Sequence, residues 1–244
     1  VCLGSDNFLF QRLWEPLAVA ILNTDAHEAA ASLLKPVIRE TVFQGASACL
    51  PLMVKEGLSE TFVNPAVEFL SANNTVIKLN TRLRAIKTEK DRVTALEFNS
   101  GTVDLAGNDS VVLAVPALSA AGLVTGLIVP SESRAIINGH FKLKKKYEGI
   151  SFLGLIGGMA QWLFIRGDIV SVTVSAANSI VDQPAEDIAR TLWGEVVRAL
   201  ELNFSQADAQ LPPYRIVKEK RATFAQTPEQ NKNRPKVCTG YSNL

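Results

Sequence analysis

The sequence predicts an α/β fold of the α+β kind, and three observations carry that reading. Residues 8–72 repeat their apolar side chains every three or four positions, the period of helices that share one buried face. From about Asn74 onward the apolar residues alternate instead, in short runs separated by Asn, Asp and Gly, which is the pattern of strands and tight turns. Between these regimes lies Val111-Val112-Leu113-Ala114-Val115, apolar at every position as in a central strand covered on both faces, with Pro116 to end it.

Taken in order, the helical region breaks near Asn23-Thr24-Asp25, Gly45 and Gly57, and Asp25 or Thr24 is placed to cap a helix running through His27 to Leu34. Residues 76–79, 83–86 and 93–98 read as strands, and Asn99-Ser100-Gly101 as a hairpin turn. A second, antiparallel sheet is expected from 136–143, 152–156, 161–166 and 169–176, with Arg166-Gly167-Asp168 turning the last hairpin. Pro184 opens a helix whose first turn carries Glu186 and Asp187, suited to the positive end of the helix dipole. Ile188, Leu192, Val196, Ala199 and Leu200 line one face of it. Tyr214-Arg215-Ile216-Val217 returns as a strand, and 227–233 reads as a polar loop.

Composition removes several function classes. Charged residues are only 20% of the chain and 47% is apolar, so the chain buries a core and is not disordered. The 25 basic and 24 acidic side chains cancel, with no basic stripe interleaved with aromatics, which argues against a nucleic-acid surface. Cys2, Cys49 and Cys238 share no CxxC spacing and cannot build a conventional metal site with His27 and His140, so no metal is expected. Their odd number fits free thiols in the cytoplasm. No apolar run reaches the length of a membrane span, and Asp6, Gln11 and Arg12 interrupt any leader-like start. The cluster Lys142, Lys144, Lys145 and Lys146 reads as a solvated edge that discourages strand pairing; peripheral contact with the inner face of a membrane stays open beside it.

Few residues stand out as chemical. No GxGxxG follows a strand, and Gly154-Leu155-Ile156-Gly157-Gly158 has the wrong spacing and strands on either side, so it is expected to allow a close backbone approach. In Trp14-Glu15-Pro16-Leu17 a carboxylate lies between large apolar groups. Desolvation there would favour its protonated form and suit it to giving up a proton; the alternative is a glutamate on a solvated helix face. His140, in Asn138-Gly139-His140-Phe141, is a candidate to hold a substrate or cofactor group or, alternatively, a strand histidine with a local hydrogen bond. Gln161-Trp162 joins an amide to an aromatic face useful beside a flat ring or polyene, unless Trp162 serves core packing. In Lys220-Arg221-Ala222-Thr223-Phe224, Arg221 is either aimed at an anion or left in water by strand alternation.

Four of these segments, in order, resemble one family: Leu13-Trp14-Glu15-Pro16-Leu17 with Ala20-Ile21-Leu22-Asn23-Thr24, the glycine segment, Gln161-Trp162-Leu163-Phe164, and 220–225. The family is that of the hydroxysqualene dehydroxylases, or squalene-associated FAD-dependent desaturases, within the amine oxidase and phytoene desaturase superfamily; 138–140 is also similar to a strand of plant-type phytoene desaturases. The resemblance implies an FAD-dependent amine-oxidase-like fold and a polyisoprenoid substrate. The chain would begin after the family's amino-terminal Rossmann fingerprint and stop before its carboxy-terminal flavin motif. It assigns residues 1–74 to the helical part of a substrate domain, 75–118 to the flavin domain, 119–230 to the sheet and helix of the substrate domain, and 231–244 to a return toward the flavin domain. Arg82, Leu83, Val115 and Pro116 would touch FAD. Glu15 or His140 would donate the proton, and Trp14, Asn23, Asn138, Gln161, Trp162 and Arg221 would meet the substrate. The rivals are a desaturase or amine oxidase with another substrate, and a non-catalytic isoprenoid-binding module. Oligomeric state is left undecided.

Overall fold

The computed structural model describes residues 7–202 and 211–244, so Cys2 and Asp6 lie outside the described residues. The chain divides into two compact units. One joins the segment up to Lys55 to Glu132–Asn231, and the other joins Glu56–Ser131 to Lys232–Leu244. Residues 56–74 thus group with the second unit.

In the first unit, a π-helical turn at Phe10–Trp14 runs into helix α1, Glu15–Leu22, whose Pro16 sits where a missing N–H costs nothing. Asn23 stops α1 by turning left-handed at φ 45°, a conformation asparagine tolerates better than most side chains. The expected helix through His27 is absent. Asp25 does cap the chain here, its Oδ1 taking the His27 N–H at 2.9 Å, but it closes a single turn. Helix α2 begins only at Ala31, runs to Glu40 and carries Pro36 inside it.

The body of this unit is a five-stranded antiparallel sheet. Its strands are β4 (Ser133–Lys142), β5 (Phe152–Gly154), β6 (Trp162–Arg166), β7 (Ile169–Val174) and β8 (Tyr214–Phe224), and the spatial order is β5-β6-β7-β4-β8. All four strands expected between 136 and 176 are present, and Gly167 at φ 60° makes the two-residue turn between β6 and β7. Strand β8 continues to Phe224 and bulges opposite Ala135, where the register slips between Arg134 and Ile136. One face of the sheet is the core. Ile137, Phe141, Leu163, Val170 and Val172 are buried there beneath helix α5, Ala185–Ala199, which contributes Ile188, Leu192, Trp193 and Val196. A Cβ on Gly139 would meet Leu192 Cδ1 at 3.0 Å and the Phe141 ring at 3.1 Å, so the helix crosses the sheet where the side chain is missing.

The second unit is built on helix α3, Asn64–Ala72, and a three-stranded antiparallel sheet of β1 (Leu83–Glu89), β2 (Arg92–Phe98) and β3 (Gly101–Asp104). Helix α4, Ala117–Leu123, follows Pro116. Asn243 locks the carboxy-terminal segment to this sheet: its amide accepts from Val93 N–H at 2.8 Å and donates to Val93 C=O at 3.0 Å.

Two expectations fail in this unit. Residues 76–79 form no strand; they lie between left-handed Asn74 and Asn80 and are solvent-exposed. Residues 111–115 are not a central strand either, and Val112 is 90% exposed. An apolar run becomes a central strand only when hydrogen-bonding neighbours flank it, whereas the backbone contact recorded for this run is Val111 N–H to Asn243 C=O at 2.7 Å. The polar loop expected at 227–233 contains a short helix, α6 (Pro228–Lys232). Among the described residues no helix is long and apolar enough to cross a membrane.

Candidate active site

Strand alternation puts every second residue of the five-stranded sheet on the face away from α5, and the register arranges these residues in two rows. Gly154, Trp162, Thr173, Asn138 and Val217 follow one another across the strands in the first row. Phe152, Phe164, Ser171, His140 and Arg215 do so in the second. Trp162, Phe152, Phe164, Asn138 and His140 are all half-buried. The β5–β6 side is aromatic: Phe152 stacks on Trp162 with centroids 5.3 Å apart and planes within 4°, and touches Phe164 at 5.2 Å. Gly154 is where the Trp162 ring lies, since a Cβ there would come within 2.9 Å of it; the glycine segment does provide a close approach, to an aromatic ring.

The β7–β4 part of the same face is polar. Thr173 Oγ1 donates to Asn138 Oδ1 at 2.8 Å, and Ser171 Oγ lies 2.9 Å from His140 Nδ1. When Ser171 donates, the ring proton sits on Nε2, which is then the group left to meet a hydroxyl. Burial pushes the His140 pKa below its ordinary value, and the neighbouring Arg215 cation pushes it the same way. His140 is therefore held as a neutral imidazole that donates or accepts a hydrogen bond, and is less suited to arrive already protonated.

The other expected site residues fall elsewhere. Glu15 is not enclosed by its apolar neighbours; its carboxylate is partly solvated at the start of α1 and lies 4.0 Å from His27 Nε2, while Trp14 beside it is half-buried. Asn23 is buried, and its amide is spent within the fold. It donates to Arg134 C=O and Thr223 Oγ1 at 3.2 and 3.0 Å and accepts from Ala176 N–H at 2.6 Å, tying the end of α1 to β4 and β8. Gln161 likewise closes a ring with the Ser175 backbone, donating at 3.2 Å and accepting at 2.8 Å. Asn23 spends both of its amide N–H groups within the fold, whereas Gln161 spends one of its two on the Ser175 carbonyl. Arg221 is exposed in the β8 bulge, where its N–H donates to Glu219, so the cation is left in water.

Sequence reasoning does not single out Phe152, Phe164, Ser171, Thr173, Arg215 or Glu195. The first five were open to a stricter use of alternation. Glu195 was not, because its partners are backbone groups. Its two carboxylate oxygens accept the N–H groups of Met159 and Ala160 at 3.0 and 2.6 Å, and a Cβ on Gly158 would strike it at 2.7 Å. A cavity of about 260 Å³ beside it is lined by Leu155, Ile156, Gly157, Gly158 and Arg198. The N–H donors just after the glycine segment, at Met159 and Ala160, are thus occupied by the protein's own carboxylate.

In the second unit, Leu83 starts β1 and Arg82 immediately precedes it. The Arg82 N–H donates to Asn99 Oδ1 at 2.9 Å and its side chain is exposed; Val115 and Pro116 precede α4 and are exposed. Among the described residues, no three His, Cys, Asp or Glu side chains are grouped to hold a metal.

Comparison with known proteins finds similarity to hydroxysqualene dehydroxylases. The chain is 43% identical over 237 residues to a hydroxysqualene dehydroxylase of Rhodopseudomonas palustris, covering 97% of this chain and 56% of that protein. The similarity runs along nearly the whole of this chain. Proteins of the same name from Sinorhizobium fredii and Zymomonas mobilis are 38% and 36% identical over 236 residues, again across 97% of this chain and 55% and 56% of theirs. The chain spans about half the length of the hydroxysqualene dehydroxylases it matches. No family model matches it.

Proposed function

We propose that this chain supplies the substrate face of an FAD-dependent hydroxysqualene dehydroxylase, which replaces the allylic hydroxyl of hydroxysqualene by hydrogen. The observation that carries the reading is the two-row face. An aromatic wall suits a long polyene, and the adjoining Asn138–Thr173 and His140–Ser171 pairs suit its single hydroxyl, so one surface matches both halves of the substrate's chemistry. FAD, when bound, would supply the hydride, and the departing oxygen would leave as water after gaining a proton.

In this reading Phe152, Trp162 and Phe164 hold the chain and exclude water. Asn138 and the neutral His140 orient the hydroxyl, and the proton His140 passes to it through Nε2 is replaced at Nδ1 by the Ser171 hydroxyl, which takes one from solvent in turn. Glu15 is the alternative proton source, from its place at the start of α1. Arg82, Leu83, Val115 and Pro116 belong to the flavin domain. The grouping of 232–244 with 56–131 in one unit supports assigning 75–118 and 232–244 to one domain, and by the same grouping 56–74 and 119–131 go with it, not with the substrate domain. We assign the protein to the cytoplasm or the inner face of its membrane, a reading supported by its free-thiol cysteine pattern.

The test is squalene formation from hydroxysqualene under reducing conditions by the protein at the full length of its relatives. Replacing His140 by Gln should lower turnover roughly tenfold, the worth of one hydrogen bond made in the transition state, and Trp162→Ala should mainly raise KM. Lipid binding without any flavin, by the folded protein at the full length of its relatives, would point instead to a non-catalytic isoprenoid-binding module.

A further inference from the structure

The end of the five-stranded sheet at the β6–β7 turn gathers two features that neither the site nor the core uses. One is apolar. Leu50 and Leu52 are 70% and 98% exposed, and the segment carrying them is tied to the sheet by Arg166 Nε, which donates to Val54 C=O at 3.3 Å. Ile150 is exposed at the same end, next to Ser151, whose C=O takes the Ile165 N–H at 2.8 Å.

The other is cationic. The segment 142–147 is fixed to the same turn by Leu143 N–H to Asp168 C=O at 2.7 Å and Tyr147 N–H to Gly167 C=O at 3.0 Å, which brings Lys142, Lys145 and Lys146 there. Across 50–55, 142–148 and 166–168 the sequence holds six cations (Lys55, Lys142, Lys144, Lys145, Lys146 and Arg166) against two carboxylates, Glu148 and Asp168. Asp168 already lies 3.9 Å from Lys142.

We infer that this end of the sheet docks on an anionic lipid surface, with Leu50, Leu52 and Ile150 entering the headgroup boundary and the lysines facing lipid phosphates. The charge decides the occupant. A second copy of the chain would set one lysine cluster near another, whereas an anionic bilayer answers the cations and accepts the apolar side chains together. Exposed leucine beside lysine is the composition of interfacial segments, in which neither the apolar nor the electrostatic contribution suffices alone. The inference is independent of the catalytic reading, since it uses the turn end of the sheet rather than its open face.

The experiment is co-sedimentation of the full chain with phosphatidylcholine vesicles, with and without phosphatidylglycerol. Binding should require the anionic lipid and weaken with salt. Lys145→Ala with Lys146→Ala should reduce it roughly 25-fold, at about fivefold per lysine. Leu52→Asp should also weaken it while leaving the melting temperature unchanged; should that variant fail to fold, the lysine pair still decides. Equal binding to neutral vesicles, no binding to either, or wild-type affinity in the lysine variant would overturn the proposal. Concentration-dependent self-association abolished by Leu52→Asp, without vesicle binding, would overturn it in favour of a second copy.

Discussion

The two faces of the five-stranded sheet are made by the same strands, yet alternate residues give them opposite character. Beneath α5, Ile137, Phe141, Leu163, Val170 and Val172 are closed from water, and a methyl group at Gly139 would press on Leu192 and Phe141 at 3.0 and 3.1 Å. On the other face, one residue away along each strand, Asn138, His140, Ser171 and Thr173 pair across the strands and Phe152 and Trp162 stack in the half-open. The core face tolerates no change of volume, whereas the open face preserves a pattern of hydrogen bonds and rings. Substitutions on the first should therefore cost stability, and substitutions on the second should cost function.

The contrast can be broken most forcefully at Phe141, which is fully buried against Trp193 with centroids 5.4 Å apart. Phe141→Ala should destabilise by about 3–5 kcal/mol, read as a shift of the urea midpoint. Next comes Gly139→Val, expected to cost about 1–3 kcal/mol by pushing α5 from the sheet, with the loss visible in thermal melting. Glu195→Ala should cost a comparable amount, about 1–3 kcal/mol, because it strips two backbone N–H groups of their acceptor; hydrogen exchange at Met159 and Ala160 should accelerate.

A smaller effect, on pH dependence, is expected at His140. Its folded pKa lies below the ordinary 6.5, so as pH falls the unfolded chain takes up the proton first. Stability should be level above that value, decline as pH drops through it and level off again below the folded pKa, and His140→Gln should flatten the decline. Smallest is Ser171→Ala, at under about 1 kcal/mol for one partly exposed hydrogen bond, with a change in the tautomer of His140 seen by nitrogen NMR.

Much of this contrast was legible in the sequence. The order Ile169-Val-Ser-Val-Thr-Val174 states which face each residue takes, and the apolar stripe of α5 from Ile188 to Leu200 says what covers the other. The polar letters of the motifs were harder to place. Asn23 and Gln161 have the chemistry of ligands, but their amides serve the backbone at a helix end and beside a strand, and only three-dimensional closure distinguishes the two uses. Residues 111–115 have the composition of a central strand, but a strand is a relation between neighbours, and composition does not report whether the neighbours are there. The enclosure of Glu195 by backbone N–H groups leaves no mark on a helix whose period is otherwise ordinary.

The central claim is that the open face carries the substrate, and photolabelling tests it most directly. A squalene analogue bearing a diazirine near the hydroxylated carbon, irradiated on the protein and mapped by mass spectrometry, should mark 138–140, 152–154 and 162–164. It should lose those marks when excess hydroxysqualene competes. Labels confined to the segment 8–44 or to the second unit, with none on these strands, would contradict the account.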